Sequence, residues 1–453
     1  MEPNPQYQKI GIALVIGLVV FFLSQLAFNN TQAALLGIIA LLVTLWTNEG
    51  LPLAVVSLLP IILFPAFGII DTKATTINYA HPIIFLFLGG FLIAIAVEKS
   101  GLHTWIADRM LQIFPNTGRG IILSLVMTSG LLSSILSNTT TTLLLISIAL
   151  YLSSDPKLKM RFILAIAYGA SVGGIMTPIG TPPNLILMGI MQEKGMEAIP
   201  FFQWMWMVAP LSFVMFIVVG LLLSIGLKDV KISHTPLDEP LSTRQRKILL
   251  LIGALVVLLF INAPIKPYWN GLGLSEPGIL LAAGLLLFTP LFNQLDWMQD
   301  KVKIPFRIMF LFGAGFSIAK AFGATGLASE VATYLIDLTT LPLVLLLLAI
   351  AALVTFTTEI TSNTALISIM LPIIYAVTEQ TGVNPALFMM VATICASYAF
   401  MLPIATPPNA IAMSSGVVDV KTMAKYGILL NFIGIILVVA FAFLFWQPVL
   451  SLP

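Results

Sequence analysis

Met176-Thr-Pro-Ile-Gly-Thr-Pro-Pro-Asn184 returns 225 residues later as Met401-Leu-Pro-Ile-Ala-Thr-Pro-Pro-Asn409, with no gap between the copies. The same register joins further blocks. Ser137-Asn-Thr139 falls on Ser362-Asn-Thr364, Phe87-Leu-Gly-Gly-Phe-Leu-Ile-Ala-Ile-Ala96 on Phe312-Gly-Ala-Gly-Phe-Ser-Ile-Ala-Lys-Ala321, and Gly101-Leu102 on Gly326-Leu327. Apolar composition alone does not produce several blocks in one ungapped register. Duplication does, and it is a frequent origin of transporter folds.

Composition supplies the solvent. Of 453 residues, 59% are hydrophobic and only 9% charged, against roughly 25% charged in a soluble globule. Apolar runs such as Ile10–Phe28, Phe202–Leu227 and Tyr426–Phe445 approach the roughly 17–25 residues that cross a bilayer. The expected fold is therefore an all-α integral membrane protein. A net charge of +2 spread over short loops excludes a nucleic-acid surface. The single cysteine, Cys395, excludes an intrachain disulfide framework and reads as a small buried hydrophobe. His81, His103 and His234 share no metal-ligand spacing, and neither a nucleophile triad nor a phosphate-binding loop is present, so catalytic residues and an ATP-driven cycle are not expected.

Lys and Arg in short loops report orientation. Arg119 precedes the first Ser-Asn-Thr, and Lys157, Lys159 and Arg161 follow it, so both flanks read as cytoplasmic. Between Leu341 and Pro385, around the second, there is no Lys or Arg, while Glu359 and Glu379 are present. Two re-entrant hairpins entering from opposite faces are expected, and hence inverted repeats. About eleven spans, with the amino terminus cytoplasmic and the carboxyl terminus external, place most basic residues inside and Lys73, Lys194 and Lys266 outside. Lys320, within a span, reads as a snorkelling side chain. The chain then divides into spans over 1–81, a first repeat over 82–227, a linker over 228–247, spans over 248–303 and a second repeat over 304–453.

Each Ser-Asn-Thr interrupts an apolar helical run at mid-depth, where unpartnered backbone groups cost several kcal/mol unless protein or a watery cavity satisfies them. Ser137 or Ser362 is expected to cap the arm that follows, and Thr181 or Thr406 a helix that opens on two prolines. Four helix N-termini converging on one place, each carrying roughly half a positive charge, make an anion site without arginine or lysine. Asn138, Thr139, Asn363 and Thr364 supply hydroxyls and amides beside it. Loops Pro178-Ile-Gly180 and Pro403-Ile-Ala405 offer carbonyl oxygens, which suit a hard cation such as sodium. Ser133 and Thr358 sit one turn before the motif serines, again 225 apart. Glu359 is open between a tuning or proton-carrying role and a buried structural carboxylate.

With these residues the chain resembles the divalent anion/sodium symporters, which carry dicarboxylates, citrate or sulfate. Thr358-Glu-Ile-Thr-Ser-Asn-Thr-Ala365 and Ala399-Phe-Met-Leu-Pro-Ile-Ala-Thr-Pro-Pro-Asn-Ala-Ile411 look like the second-half signature, and Leu136-Ser-Asn-Thr139 with Ile179-Gly-Thr-Pro-Pro-Asn184 like the first. The resemblance implies a homodimer of elevator type in a bacterial inner membrane, taking up a C4-dicarboxylate such as succinate, malate or fumarate with sodium and needing no organic cofactor. It implies a first sodium site of Ser133, Ser137, Asn138 and Gly180, and a second of Thr358, Thr361, Asn363, Ala405 and Pro407. Substrate would touch Ser137, Asn138, Thr139, Thr181, Ser362, Asn363, Thr364, Thr406 and Pro407. One departure stands out: Thr140-Thr-Thr142 follows the first motif where an alanine is usual. A sodium-independent exchanger of the same fold is the alternative, as are citrate or sulfate as the anion. An anion channel would want a continuous pore in place of two occluding hairpins.

Overall fold

A computed structural model describes residues 5–197, 199–227, 230–232, 239–264, 268–335 and 341–450. Among them the regular structure is helical apart from one isolated bridge, Thr117 to Lys231. The chain opens with α1 (Pro5–Ser24), α2 (Asn30–Asn48) and the short α3 (Leu53–Leu58), α4 (Pro60–Ala66) and α5 (Thr72–Thr76). The first repeat holds α6 (Pro82–Lys99), α7 (Leu102–Ile113), α8 (Gly118–Ser133), α9 (Asn138–Tyr151), α10 (Pro156–Gly174), α11 (Pro182–Glu193) and α12 (Phe201–Leu223). Next come α13 (Thr243–Asn262), α14 (Glu276–Leu286) and α15 (Trp297–Asp300). The second repeat holds α16 (Phe306–Ala324), α17 (Leu327–Leu335), α18 (Leu343–Thr358), α19 (Asn363–Thr381), α20 (Pro385–Ala396), α21 (Pro407–Ser414) and α22 (Val420–Phe441). A π turn leads from there into α23 (Gln447–Leu450).

Helix boundaries carry the duplication. The starts of α7, α8, α9 and α11 and the end of α8 recur 225 residues later in α17, α18, α19 and α21 and at the end of α18. The stops are equally matched: Gly101 and Gly326, both at φ +70°, follow α6 and α16 in the left-handed conformation that only glycine adopts cheaply. α10, α11, α20 and α21 each begin at a proline, whose missing N–H is no loss at a first helical position.

Among the described residues, seven helical stretches are long and apolar enough to cross a membrane: Gln6–Ser24, Asn30–Asn48, Thr72–Lys99, Phe201–Leu223, Thr243–Asn262, Phe306–Ala324 and Val420–Leu450. Three of the helices beside the Ser-Asn-Thr breaks, α8, α9 and α18, are shorter, and α19 runs for 19 residues. Their packing depends on small residues, as is usual where lipid removes the hydrophobic drive for helix association. Gly173 rests on the backbone of Gly130, and Gly169 on Ser129 and Val126, so α10 and α8 meet with no room for a Cβ. Gly89 meets the backbone of Leu280 in the same way, joining α6 to α14.

The two repeats interlock. α9 of the first packs on α21 of the second, and α19 of the second packs on α11 of the first. α10 on α21 and α20 on α11 complete the exchange. Of the expected linker over 228–247, positions 228, 229 and 233–238 lie outside the described residues, as does Lys266. The linker's far end is a capping box, Ser242 with Gln245, that starts α13. Lys320 is exposed near the end of α16, and Cys395 is fully buried.

Candidate substrate and ion site

The first break, between α8 and α9, is closed by a side-chain pair. Ser133 Oγ donates to Asn138 Oδ1 at 2.6 Å, and 225 residues later Thr358 Oγ1 donates to Asn363 Oδ1 at the same 2.6 Å. Thr358 Oγ1 also lies 2.9 Å from the carbonyl of Ala396 at the end of α20. Both pairs bring the hydroxyl one turn back into contact with the motif asparagine. Each leaves its hydroxyl and amide oxygen side by side.

The Pro-Pro breaks repeat as closely. Asn184 Nδ2 donates to the carbonyls of Gly174 (3.3 Å) and Thr177 (2.9 Å), and Asn409 Nδ2 to those of Ala399 and Leu402 (both 3.0 Å). Each asparagine ties its own helix start to carbonyls of the loop before it, and Asn184 also takes the last carbonyl of α10. Within the loops Gly180 N–H donates to Thr177 O, and Ala405 N–H to Leu402 O. The first loop reaches the α8–α9 break directly. A Cβ on Gly174 would lie 2.6 Å from Asn138 Oδ1, and Gly180 abuts the Gly174 carbonyl, so only glycine lets these three groups close together.

The repeats differ where the loop is tied to the hairpin turn. In the first, the Thr177 hydroxyl donates to the Ser134 carbonyl. At the equivalent of Ser134 the second repeat has Glu359, whose carboxylate accepts from the N–H groups of Phe400 (2.8 Å), Met401 (3.0 Å) and Leu402 (3.0 Å) and from Asn431 Nδ2 (2.6 Å). Only 3% exposed, this group is an acceptor held in a nest of successive backbone donors. Of the two readings open at the sequence level, the structural carboxylate is the one these bonds describe.

The expected caps divide. Ser137 Oγ accepts from Thr140 N–H (3.1 Å) and Thr406 Oγ1 from Asn409 N–H (3.4 Å). Ser362 and Thr181 occupy the N-cap positions of α19 and α11 without a side-chain cap bond, which leaves the N–H groups of those first turns to other acceptors. Thr139 and Asn138 are half-buried at the start of α9, Asn363 half-buried and Thr364 buried at the start of α19. Thr361 Oγ1 donates back to Thr357 O. Pro407 is exposed on the first turn of α21, while Ala405 is buried behind it.

The roles of four residues escaped the sequence reading. Thr177 and the clamping role of Asn184 and Asn409 sit inside the repeated motif but show no chemistry until the loop closes. Asn431 carried a usable signal, a lone amide in the apolar run Tyr426–Phe445, because polar side chains in membrane helices are rarely without purpose.

Interlocked helical repeats, broken at four repeat-related places by hydrogen-bonded hydroxyl, amide and carbonyl groups, define a membrane transporter with internal duplication. Comparison with known proteins narrows this. A family model described as citrate transporter (CitMHS) matches residues 43–392, and the chain belongs to that family. It is 31% identical to the sodium-dependent dicarboxylate transporter SdcS of Staphylococcus saprophyticus over 97% of this chain and 92% of that protein. It is 32% identical to SdcS of Staphylococcus aureus strain USA300 over 97% and 91%. Among solved structures, the YdaH transporter of Alcanivorax borkumensis superposes with a TM-score of 0.62 at 14% identity, over 82% of this chain and 87% of that one. MtrF of Neisseria gonorrhoeae gives 0.59 at 15% identity, over 82% and 83%. These two share the fold.

Proposed function

We propose that the chain is a secondary active transporter that imports a C4-dicarboxylate, such as succinate, malate or fumarate, together with sodium. The observation that carries this reading is the doubled hydroxyl–amide pair, Ser133 with Asn138 and Thr358 with Asn363, each at a helix start and the first also against a carbonyl loop. Oxygen donors of this kind suit a hard cation, and the helix starts suit a carboxylate. Sodium occupies Ser133, Ser137, Asn138 and Gly180 at one site and Thr358, Thr361, Asn363, Ala405 and Pro407 at the other. The dicarboxylate lies between the two hairpin tips, on Ser137, Asn138, Thr139, Thr181, Ser362, Asn363, Thr364, Thr406 and Pro407. Cation binding beside a doubly charged anion offsets its charge, which is the physical basis of the coupling. The sodium dependence named for the SdcS relatives supports the same assignment.

In this reading the helix pairs α8–α9 and α18–α19 are re-entrant hairpins from opposite faces, and the repeats are inverted. The protein is a homodimer in a bacterial inner membrane, with the amino terminus cytoplasmic and the carboxyl terminus external. Cargo moves with a body that slides past a scaffold. The repeats are unequally seated, which supports such a motion: Ile179 lies on Gly90 of α6, whereas its counterpart Ile404 is 72% exposed.

Uptake of labelled succinate into proteoliposomes tests the proposal. An inward sodium gradient should drive accumulation without internal succinate. Uptake that needs internal succinate and ignores sodium would instead make the protein an exchanger, and competition by citrate or sulfate would reassign the anion.

A further inference from the structure

The two hairpin tips, alike in sequence, differ in what their serine hydroxyls are free to do. A serine hydroxyl has one proton to donate and two lone pairs. Ser137 Oγ accepts the Thr140 N–H at 3.1 Å and donates its proton to Thr140 Oγ1 at 2.9 Å. One lone pair remains. An oxygen in that state can face a cation, but it cannot donate to a carboxylate without breaking the bond to Thr140.

The second tip lacks this device. The position equivalent to Thr140 is Ala365, buried and without a hydroxyl, and Ser362 makes no side-chain cap bond to α19. Among the described residues its hydroxyl meets no acceptor, so Ser362 can donate to a carboxylate oxygen. Neither the break nor the motif distinguishes the two serines; the residue three positions on does.

We propose that Thr140 is a positioning residue that commits Ser137 to the cation and leaves serine recognition of the dicarboxylate to Ser362. This rests on the sodium-coupled reading above and divides a role that the resemblance gives to both serines. The substrate would then be bound asymmetrically: at the second tip by a hydroxyl as well as by helix N–H groups, and at the first by N–H groups and the neighbouring Thr139. Thr140 acts before cargo arrives. With the Thr140 hydroxyl in place the Ser137 hydroxyl is already held by two bonds, so the cation meets an ordered ligand and not a rotor that must be turned.

The test uses the full-length protein in proteoliposomes, with sodium half-saturation and succinate KM measured separately. Thr140→Val, which keeps shape and loses the hydroxyl, should raise the sodium half-saturation concentration by roughly three- to tenfold, the scale of one hydrogen bond. Its succinate KM at saturating sodium should stay near wild type. Thr140→Ser should restore sodium affinity. Ser362→Ala should do the reverse, raising succinate KM by about tenfold or more at saturating sodium. Sodium-dependent thermal stabilisation of the purified variants, read without succinate, reports the same cation affinity where uptake is weak, and Thr140→Ala serves if the valine variant does not fold. A Thr140→Val effect confined to succinate KM, or no rescue by serine, overturns the proposal. Wild-type uptake and stability indifferent to sodium would instead overturn the sodium-coupled reading on which it rests.

Discussion

Asn431 on α22 donates from Nδ2 to Glu359 Oε1 at 2.6 Å, tying a long helix to the turn of the second hairpin. The same carboxylate holds the N–H groups of Phe400, Met401 and Leu402, so one side chain joins three segments. Glu359→Gln sets an amide N–H against those donors and leaves buried N–H groups without an acceptor, at a cost of roughly 1–3 kcal/mol each. Asn431→Leu removes one charge-assisted bond, about 1.5–3 kcal/mol. Melting of the purified protein should therefore fall in the order wild type, Asn431→Leu, Glu359→Gln. A glutamine variant that melts like wild type would rule out the anchoring role.

In the proposed hairpins Thr139 and Thr364 stand at the tips and Ser133 and Thr358 one turn back. A hydrogen bond to a charged group contributes on the order of 1.5–3 kcal/mol, so losing one weakens binding by roughly ten- to a hundredfold. Thr139→Val or Thr364→Val should raise succinate KM even at saturating sodium. Ser133→Ala or Thr358→Val should shift the sodium dependence, with high sodium restoring much of the succinate affinity through reciprocal linkage. Rescue of the tip variants by sodium, and not of the deeper ones, would reverse the assignment of the layers.

A Cβ on Gly90 would stand 3.4 Å from the Cβ of Ile179, close to the roughly 3.5–4.5 Å of a disulfide. In a Cys395→Ala background, Gly90→Cys with Ile179→Cys should cross-link on mild oxidation and stop succinate uptake, with reduction restoring it. Full uptake by the cross-linked protein would mean that α6 and the first carbonyl loop stay together throughout the cycle, against a sliding body.

Ser154, before α10, and Gln380, near the end of α19, are both exposed and follow the two hairpins. With Cys395 removed, Ser154→Cys should react with an impermeant thiol reagent only from the cytoplasmic side, and Gln380→Cys only from outside. Labelling of both from one side would remove the case for inverted repeats.

The breaks and the polar residues at them were legible in sequence because they are local. Ser133 and Thr358 read from the sequence as one turn before the motif serines, and the structure adds that each meets the motif asparagine five residues on. Thr181 and Ser362 show the limit of that reasoning. Both have the residue type and position of a cap, yet neither makes the bond, because cap geometry depends on the φ and ψ that packing imposes on the break.

By itself the sequence determined the lipid environment, the 225-residue duplication and the four breaks, since these follow from apolar run lengths, ungapped self-similarity and Pro, Asn and Ser chemistry within a few residues. Tertiary structure alone decided that α9 packs on α21 and α19 on α11, and that Glu359 ends on three N–H groups 41–43 residues away and on Asn431, 72 away. Backbone donors are present at nearly every position and carry no residue signature. Which of them an acceptor finds is settled only when distant segments are brought together.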